Sequence, residues 1–334
     1  MTEELKSQAA IACLMPNLSV AVIGPVDFAK DLGKKGTSSD ITLYDVKRGE
    51  DTVSFIEATM YPERLAPLYY TCAIADIALL VVDQINAQFG ESLLMLDVLQ
   101  RRRGLILLRN FITKEQLAPM IKGTVAENYA YVDDDLVKLR EWFLDEARRA
   151  KVPPPSSAGG SVPIDHCFNV KGVGTVVLGL VARGEIRKHD TLKALPGKKE
   201  TLVRLVQKHE DDFELAVGGD RVGLSLKGVD SDELDRGFVL TNQPDMRCDL
   251  MIKGKAELIR FWPTPLKEGM VVHLGHWMQF ISARLVGVEN GADWRRPMLE
   301  LSLEKEVVHP PGARGVLMHM EGGKLRIVGT VELA

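Results

Sequence analysis

Short, continuously apolar runs recur through the first 150 residues: Leu18 to Ile23, Phe55-Ile56, Ile77 to Val82 and Leu105 to Leu108. Runs of this length, apolar at every position, are the pattern of strands buried on both faces of a largely parallel sheet. Between them, ESLLMLDVLQRRR and DDDLVKLREWFLDEARRAK carry helical spacing, and the second aligns Leu136, Leu139 and Phe143 behind a capping aspartate. The alternation predicts an α/β domain over residues 1–152.

Residues 153–160, PPPSSAGG, combine three prolines with Ser and Gly and read as a linker. Beyond it the period changes to two. In DRVGLSLKG, Val222, Leu224 and Leu226 point one way and Ser225 and Lys227 the other, as in half-buried antiparallel strands. Dense turn signals and almost no helical periodicity favour closed barrels, with NQPDMR (242–247) as the break. The expected fold is therefore a parallel-sheet α/β domain followed by two antiparallel β-barrels, 161–243 and 244–334.

Composition narrows the function classes. A net charge of −4 and a pI near 6.0 exclude a generally basic nucleic-acid coat, so any RNA contact is regional, and DNA is not an expected partner. Cys13, Cys72, Cys167 and Cys248 form no CxxC pair and suggest neither a zinc site nor a disulfide framework. The apolar runs fall short of the ~18 residues of a membrane span, and MTEELKSQAA lacks the order of a signal peptide. A cytoplasmic protein with no membrane partner is expected.

The most specific wording is IDHCFNVKGVGTVVLGLVARGEI (164–186), followed by GDRVGLSLKGV and DRGFVL. It resembles the second domain of the elongation factor Tu superfamily of translational GTPases, in its selenocysteine-specific branch. Gly172 and Gly174 read as places where a barrel strand bends or bulges. Residues from about 247 onward, ending in KLRIVGTVEL, are similar to the third domain of these factors. Selenocysteine-specific factors carry a further C-terminal domain, for which this sequence leaves no residues.

Set against the GTPase pattern that the resemblance implies, the first domain departs at each motif. AVIGPVDFAKD (21–31) stands where the family has a strand and GxxxxGK[ST]: Gly24 and Lys30 remain, the second glycine is Ala29, and the magnesium-binding hydroxyl is replaced by Asp31. A carboxylate 4 Å from a phosphate oxygen is opposed by ~4 kcal/mol at an effective dielectric near 20. FIEATMYPER (55–64) matches the family's FIDTPGHE with Glu57 for the aspartate and Met60 for the glycine that meets the γ-phosphate. There is no histidine before His166, so the water-positioning histidine is missing. Residues 31–40 are too few for the effector loop. In LLRNFITKEQL (107–117), Arg109, Asn110 and Ile112 stand in place of the guanine-reading Asn, Lys and Asp. No nucleotide cofactor is expected; GTP or GDP with magnesium belongs only to the second reading, a GTP-binding elongation factor with unusual motifs, which Gly24 and Lys30 keep open.

Asp165, His166 and Arg221 match positions that in selenocysteine-specific factors surround the aminoacyl group of the charged tRNA. The resemblance therefore implies a pocket for an aminoacyl or other anionic group at the rim of the first barrel, with an inherited rim salt bridge as the bland alternative. A rim arginine partly in water is expected to add little to folding. His273 and His276 lack companion ligands and are read as strand residues, and Arg101 to Arg103 as the cationic end of a helix. No catalytic or metal-binding constellation stands out. The sequence thus reads as an elongation-factor-like pseudo-GTPase that binds tRNA, the ribosome or another translation factor; a scaffold outside translation is the third reading.

Overall fold

The computed structural model describes residues 17–49, 51–149, 159–209, 211–321, 323 and 325–334. Cys13 and residues 153–158 of the proline-rich linker lie outside them. The chain forms two compact units, one holding residues 47–52 and 144–246, the other 19–46, 53–143 and 247–334.

The first sheet has seven strands: β1 (Asn17–Ile23), β2 (Lys34–Ser38), β3 (Ile41–Arg48), β4 (Asp51–Ala58), β5 (Ile77–Val82), β6 (Gly104–Leu108) and β7 (Ala130–Val132), in the order β2-β3-β4-β1-β5-β6-β7. β1, β5, β6 and β7 pair in parallel, and β2 returns antiparallel on β3. Every residue of β5 is buried, as an all-apolar run requires.

The helices are α1 (Ala66–Ala73), α2 (Ala87–Val98), α3 (Lys114–Ile121) and α4 (Leu136–Arg149). The Asn86 side chain starts α2 by accepting from the Phe89 amide at 2.9 Å. Thr113 and Gln116 form a capping box on α3. Asp135 caps α4 through the amides of Val137 and Lys138, and Phe143 from this helix meets Phe55 edge-on at 5.3 Å.

One expectation is corrected here. The helix read into ESLLMLDVLQRRR starts four residues earlier and stops at Val98, so Arg101 to Arg103 lie in the connection to β6 rather than in a helix end. Gln100 takes a left-handed backbone (φ 54°), and Arg101 folds back to donate to the Ala73 carbonyl at 2.9 Å.

The second sheet is antiparallel. β8 (Gly160–Val170), β9 (Gly174–Leu180), β11 (Thr191–Leu195), β12 (Lys199–Lys208), β15 (Arg221–Lys227) and β16 (Val239–Thr241) form a ring in the order β8-β16-β11-β12-β15-β9, closed by β9 on β8. β10 (Arg183–Arg187), β13 (Asp211–Phe213) and β14 (Leu215–Val217) extend it. Val162, Ile164, Val177, Val222 and Leu224 fill its core.

The third sheet is a closed barrel of β17 (Arg247–Leu258), β18 (Val271–His276), β19 (Gln279–Glu289), β20 (Met298–His309), β21 (Ala313–Met318) and β22 (Ile327–Leu333), in the order β17-β20-β19-β18-β21-β22. Ile252, Leu274, Leu285 and Leu301 lie in its core. Among the described residues no helix is long and apolar enough to cross a membrane.

Candidate functional site

The loop after β1 is the position at which a parallel α/β sheet presents backbone amides to a ligand. Gly24 is packed so tightly that a Cβ there would stand 2.5 Å from the Val81 carbonyl oxygen. Asp27 takes a left-handed conformation (φ 67°) and turns the chain into a single 3-10 turn, Phe28–Asp31. The chain then passes directly to β2. Where the long effector loop stands in the GTPase pattern, this protein has a hairpin of β2 and β3.

The amides of the loop already have an acceptor. Glu57, buried at the end of β4, takes a hydrogen bond on Oε1 from the Ala29 amide at 2.6 Å and on Oε2 from the Asp27 amide at 3.1 Å. Burial raises the Glu57 pKa, and the hydrogen bonds from Ala29, Asp27 and Phe28 oppose that rise. Lys30 and Asp31 are exposed, and the Asp31 carbonyl accepts from Arg140 at 2.8 Å. Beyond Glu57 a cavity of about 180 Å³ is lined by Pro25, Tyr61, Leu68, Asn86 and Phe89 among others.

The segment that resembles the guanine-reading motif is also engaged internally. Arg109 makes a two-bonded pair with Asp134, at 2.8 and 2.9 Å, while its guanidinium lies 4.7 Å from the centre of the Phe28 ring. Asn110 and Phe111 have positive φ, and Phe111 is fully exposed.

The second barrel brings Asp165, His166 and Arg221 together. Arg221 donates to both carboxylate oxygens of Asp165, through Nη1 to Oδ2 and through Nη2 to Oδ1 at 3.1 Å. His166 Nδ1 lies 2.5 Å from Asp165 Oδ1. The register shifts between Ile164 and His166, at the end of a stretch, residues 160–165, in which every residue is buried. The bend expected at the glycines is instead a turn: Gly172 (φ 83°) lies between β8 and β9, and Gly174 (φ 97°) opens β9 opposite Val170. Burial pushes the Asp165 pKa up, but the charge of Arg221 and the bonds from His166 and Arg221 outweigh it and hold the carboxyl well below its ordinary range.

The expectation of a partly solvated rim arginine is corrected. The Asp165 side chain is 1% exposed and that of Arg221 12%. Arg236, which sequence reading passed over, also donates to the Asp165 carbonyl at 3.0 Å; it lies in DRGFVL, but nothing in that spacing marks its partner. Arg183 pairs with Asp245 at 3.2 Å and Arg187 with Glu185 at 2.7 Å. Among the described residues no group of three or more His, Cys, Asp or Glu is arranged to hold a metal.

An α/β domain, an elongation-factor barrel and a third closed barrel in this order define the class of the translational GTPases. The pattern of elongation factor Tu domain 2 matches residues 174–241. The chain belongs to the elongation factor Tu superfamily and is an elongation-factor-like protein. It is 34% identical over 320 residues to the uncharacterized protein MJ0325 of Methanocaldococcus jannaschii, covering 96% of this chain and 100% of that one. It is 25% identical to the selenocysteine-specific elongation factor of the same organism, over 94% of this chain and 74% of the relative. In fold it is similar to the elongation factor SelB of Methanococcus maripaludis in complex with a GTP analogue, with a TM-score of 0.81 and 22% identity, over 96% of this chain and 79% of that one.

Proposed function

We propose that this protein is a pseudo-GTPase of the elongation-factor class: it binds a component of the translation machinery, in the cytoplasm, without binding or hydrolysing GTP. The observation that carries the reading is the Glu57 carboxylate on the amides of Asp27 and Ala29. A phosphate loop works because its amides are aimed at an anion and have no other acceptor. Here an internal anion takes that place, and a nucleotide must displace it from buried hydrogen bonds worth about 1.5 to 3 kcal/mol each.

GTP with magnesium does not fit the residues present. The 3-10 turn Phe28–Asp31 is too short to supply the helix-terminus field that steadies a phosphate. Asp31 replaces the magnesium-binding hydroxyl with a repelling charge. Ile112 stands where that motif has the aspartate that accepts from a guanine base, and Arg109, in the place of the asparagine, is held by Asp134.

The partner side of the reading rests on Asp165, His166 and Arg221. In this reading Asp165 orients the Arg221 guanidinium and the His166 ring toward an aminoacyl or other anionic end of a tRNA, the part that resemblance to selenocysteine-specific factors assigns to these positions.

Calorimetry with GTP, GDP and ATP, with and without magnesium, tests the first half: no saturable heat is expected from the cleft. Micromolar guanine nucleotide binding that disappears in Lys30→Ala overturns it. Co-sedimentation with ribosomes, and binding of charged against uncharged tRNA, test the second half.

A further inference from the structure

The unit that holds the α/β domain and the third barrel contains a second cavity, about 380 Å³, and the charge around it does not follow the acidic balance of the chain as a whole. Arg260, Arg295, Arg296 and Arg314 all line it. Two of these guanidinium groups lie over aromatic rings, Arg260 at 4.6 Å from the Phe261 centroid and Arg295 at 4.0 Å from that of Trp294. Phe261 is 52% exposed.

Hydrogen bonds fasten these side chains to the barrel. Leu258, at the end of β17, donates its amide to the Arg295 carbonyl at 2.8 Å, and Ala256 to that of Pro297 at 2.9 Å, so the turn carrying Trp294, Arg295 and Arg296 is fastened to a barrel strand. Asp293 Oδ1 accepts the Arg295 amide at 3.0 Å, and Arg295 donates to the carbonyls of Arg260 and Trp262.

Carboxylates near the cavity do not use up the donors. Asp293 is committed to a backbone amide, and Asp97 Oδ1 likewise accepts the Val125 amide at 2.9 Å. Glu257 faces Arg314 at 3.3 Å and Arg296 at 3.8 Å, one carboxylate between two guanidinium groups. The pairs of Arg296, at 3.8 and 4.0 Å, are beyond hydrogen-bond distance, and its side chain is 71% exposed. Guanidinium donors are therefore in excess over acceptors, on a surface with an exposed ring.

We propose that this groove binds a nucleotide unit, its phosphate on Arg296 and Arg314 and its base stacked on Phe261 and the Arg260 plane. Arginine forks match phosphate oxygens, and aromatic and guanidinium planes are the surfaces on which unpaired bases stack. An acidic peptide would use the arginines and leave the ring idle. The volume lies within the ~300–1,000 Å³ of small-ligand sites. The inference is independent of the closed cleft, since it shares no residue with it. The nucleotide unit comes from one of two sources, a free mononucleotide or a single-stranded RNA.

The test is fluorescence anisotropy of the full chain with a labelled mixed-sequence single-stranded RNA, with nucleoside monophosphates as one competitor and poly-glutamate as another. Binding should weaken with added salt. Arg296→Ala with Arg314→Ala should reduce it about tenfold or more, and Phe261→Ala should reduce it with an unchanged salt slope. The replaced arginines are more than half exposed, so the thermal midpoint serves as a folding control, with Arg296→Glu as a second variant in which binding should be lost. Equal competition by monophosphates identifies the free nucleotide as sufficient, and competition by longer strands alone identifies RNA. Binding unchanged in the arginine variants, no binding of either nucleotide form, or poly-glutamate displacing RNA would overturn the proposal, the last in favour of an acidic protein partner.

Discussion

Glu91 on α2 and Arg326, just ahead of β22, form a two-bonded ion pair, Nε to Oε1 at 2.9 Å and Nη2 to Oε2 at 2.5 Å, that fastens the α/β domain to the third barrel. The side chains are 5% and 15% exposed. Tyr61 donates to the same carboxylate at 3.0 Å, and Arg326 to the Pro62 carbonyl at 3.1 Å. Tyr61 and Pro62 belong to FIEATMYPER, the segment that resembles the family's FIDTPGHE, so side chains tie that segment to the third barrel.

Truncating one member of such a pair leaves the other charge buried and unpaired. Arg326→Ala should therefore cost about 3 to 5 kcal/mol in urea denaturation, whereas Glu91→Leu with Arg326→Met should lie much closer to wild type. A loss below about 1 kcal/mol in Arg326→Ala would mean that the pair is effectively solvated.

The Asp165–Arg221 pair calls for the same reasoning in the second barrel. Arg221→Ala should destabilise by about 3 to 5 kcal/mol, because Asp165 is left buried without its counter-charge. The pH dependence has a definite sign. Asp165 has a depressed folded pKa, so its contribution is present above the unfolded value near 3.9 and is lost as pH falls through the folded one. Stability measured against pH should show the wild type and Asp165→Asn converging in acid; parallel curves down to pH 2 would remove Asp165 from the account.

Glu57→Ala should cost about 1.5 to 3 kcal/mol, the range for a hydrogen bond to a charged group. It should also change the response to anions. With the carboxylate gone, the amides of Asp27 and Ala29 lack their acceptor, and inorganic phosphate should raise the thermal midpoint of the variant more than that of wild type, against chloride of equal ionic strength. Equal shifts in both proteins would count against the loop as an anion cradle.

The sequence made these sites visible to unequal degrees, for physical reasons. The all-apolar Ile77–Val82 run could only be a strand buried on both faces, and it is. β2, Lys34–Ser38, is exposed or half-buried throughout, so no apolar pattern distinguishes it from a loop; its partner strand makes it a strand. Glu57 was legible as a substitution in a motif, yet its role depends on amides about thirty residues earlier, which no local pattern encodes. The burial of Asp165 was hidden because β8 is buried on both faces over residues 160–165, a setting that a charged residue in the sequence does not announce. Arg260 and the Asp-Trp-Arg-Arg turn carry no periodicity at all, and only the closure of the third barrel brings them to one groove.

His276 supplies the last prediction. It is buried on β18, its Nδ1 lies 3.2 Å from the Arg314 carbonyl, and its ring faces that of His309 at 6.4 Å. Burial lowers its pKa to about 4; the bond to the Arg314 carbonyl opposes this and the neighbouring His309 adds to it. The unfolded chain titrates this histidine near 6.5, so between about pH 6.5 and 4 the unfolded state binds the proton that the folded state refuses. Stability should accordingly rise with pH across that window and fall on acidification, with an amplitude on the order of a few kcal/mol. His276→Gln retains a donor toward the Arg314 carbonyl but has no group to titrate, and so should flatten this part of the profile whatever its effect on stability at neutral pH. His309 is fully buried between the Asp249 carboxylate, 3.0 Å from Nε2, and the Pro310 carbonyl, 2.9 Å from Nδ1. If His276→Gln keeps the full acid slope while His309→Gln loses it, the titrating group is the wrong histidine and the assignment fails.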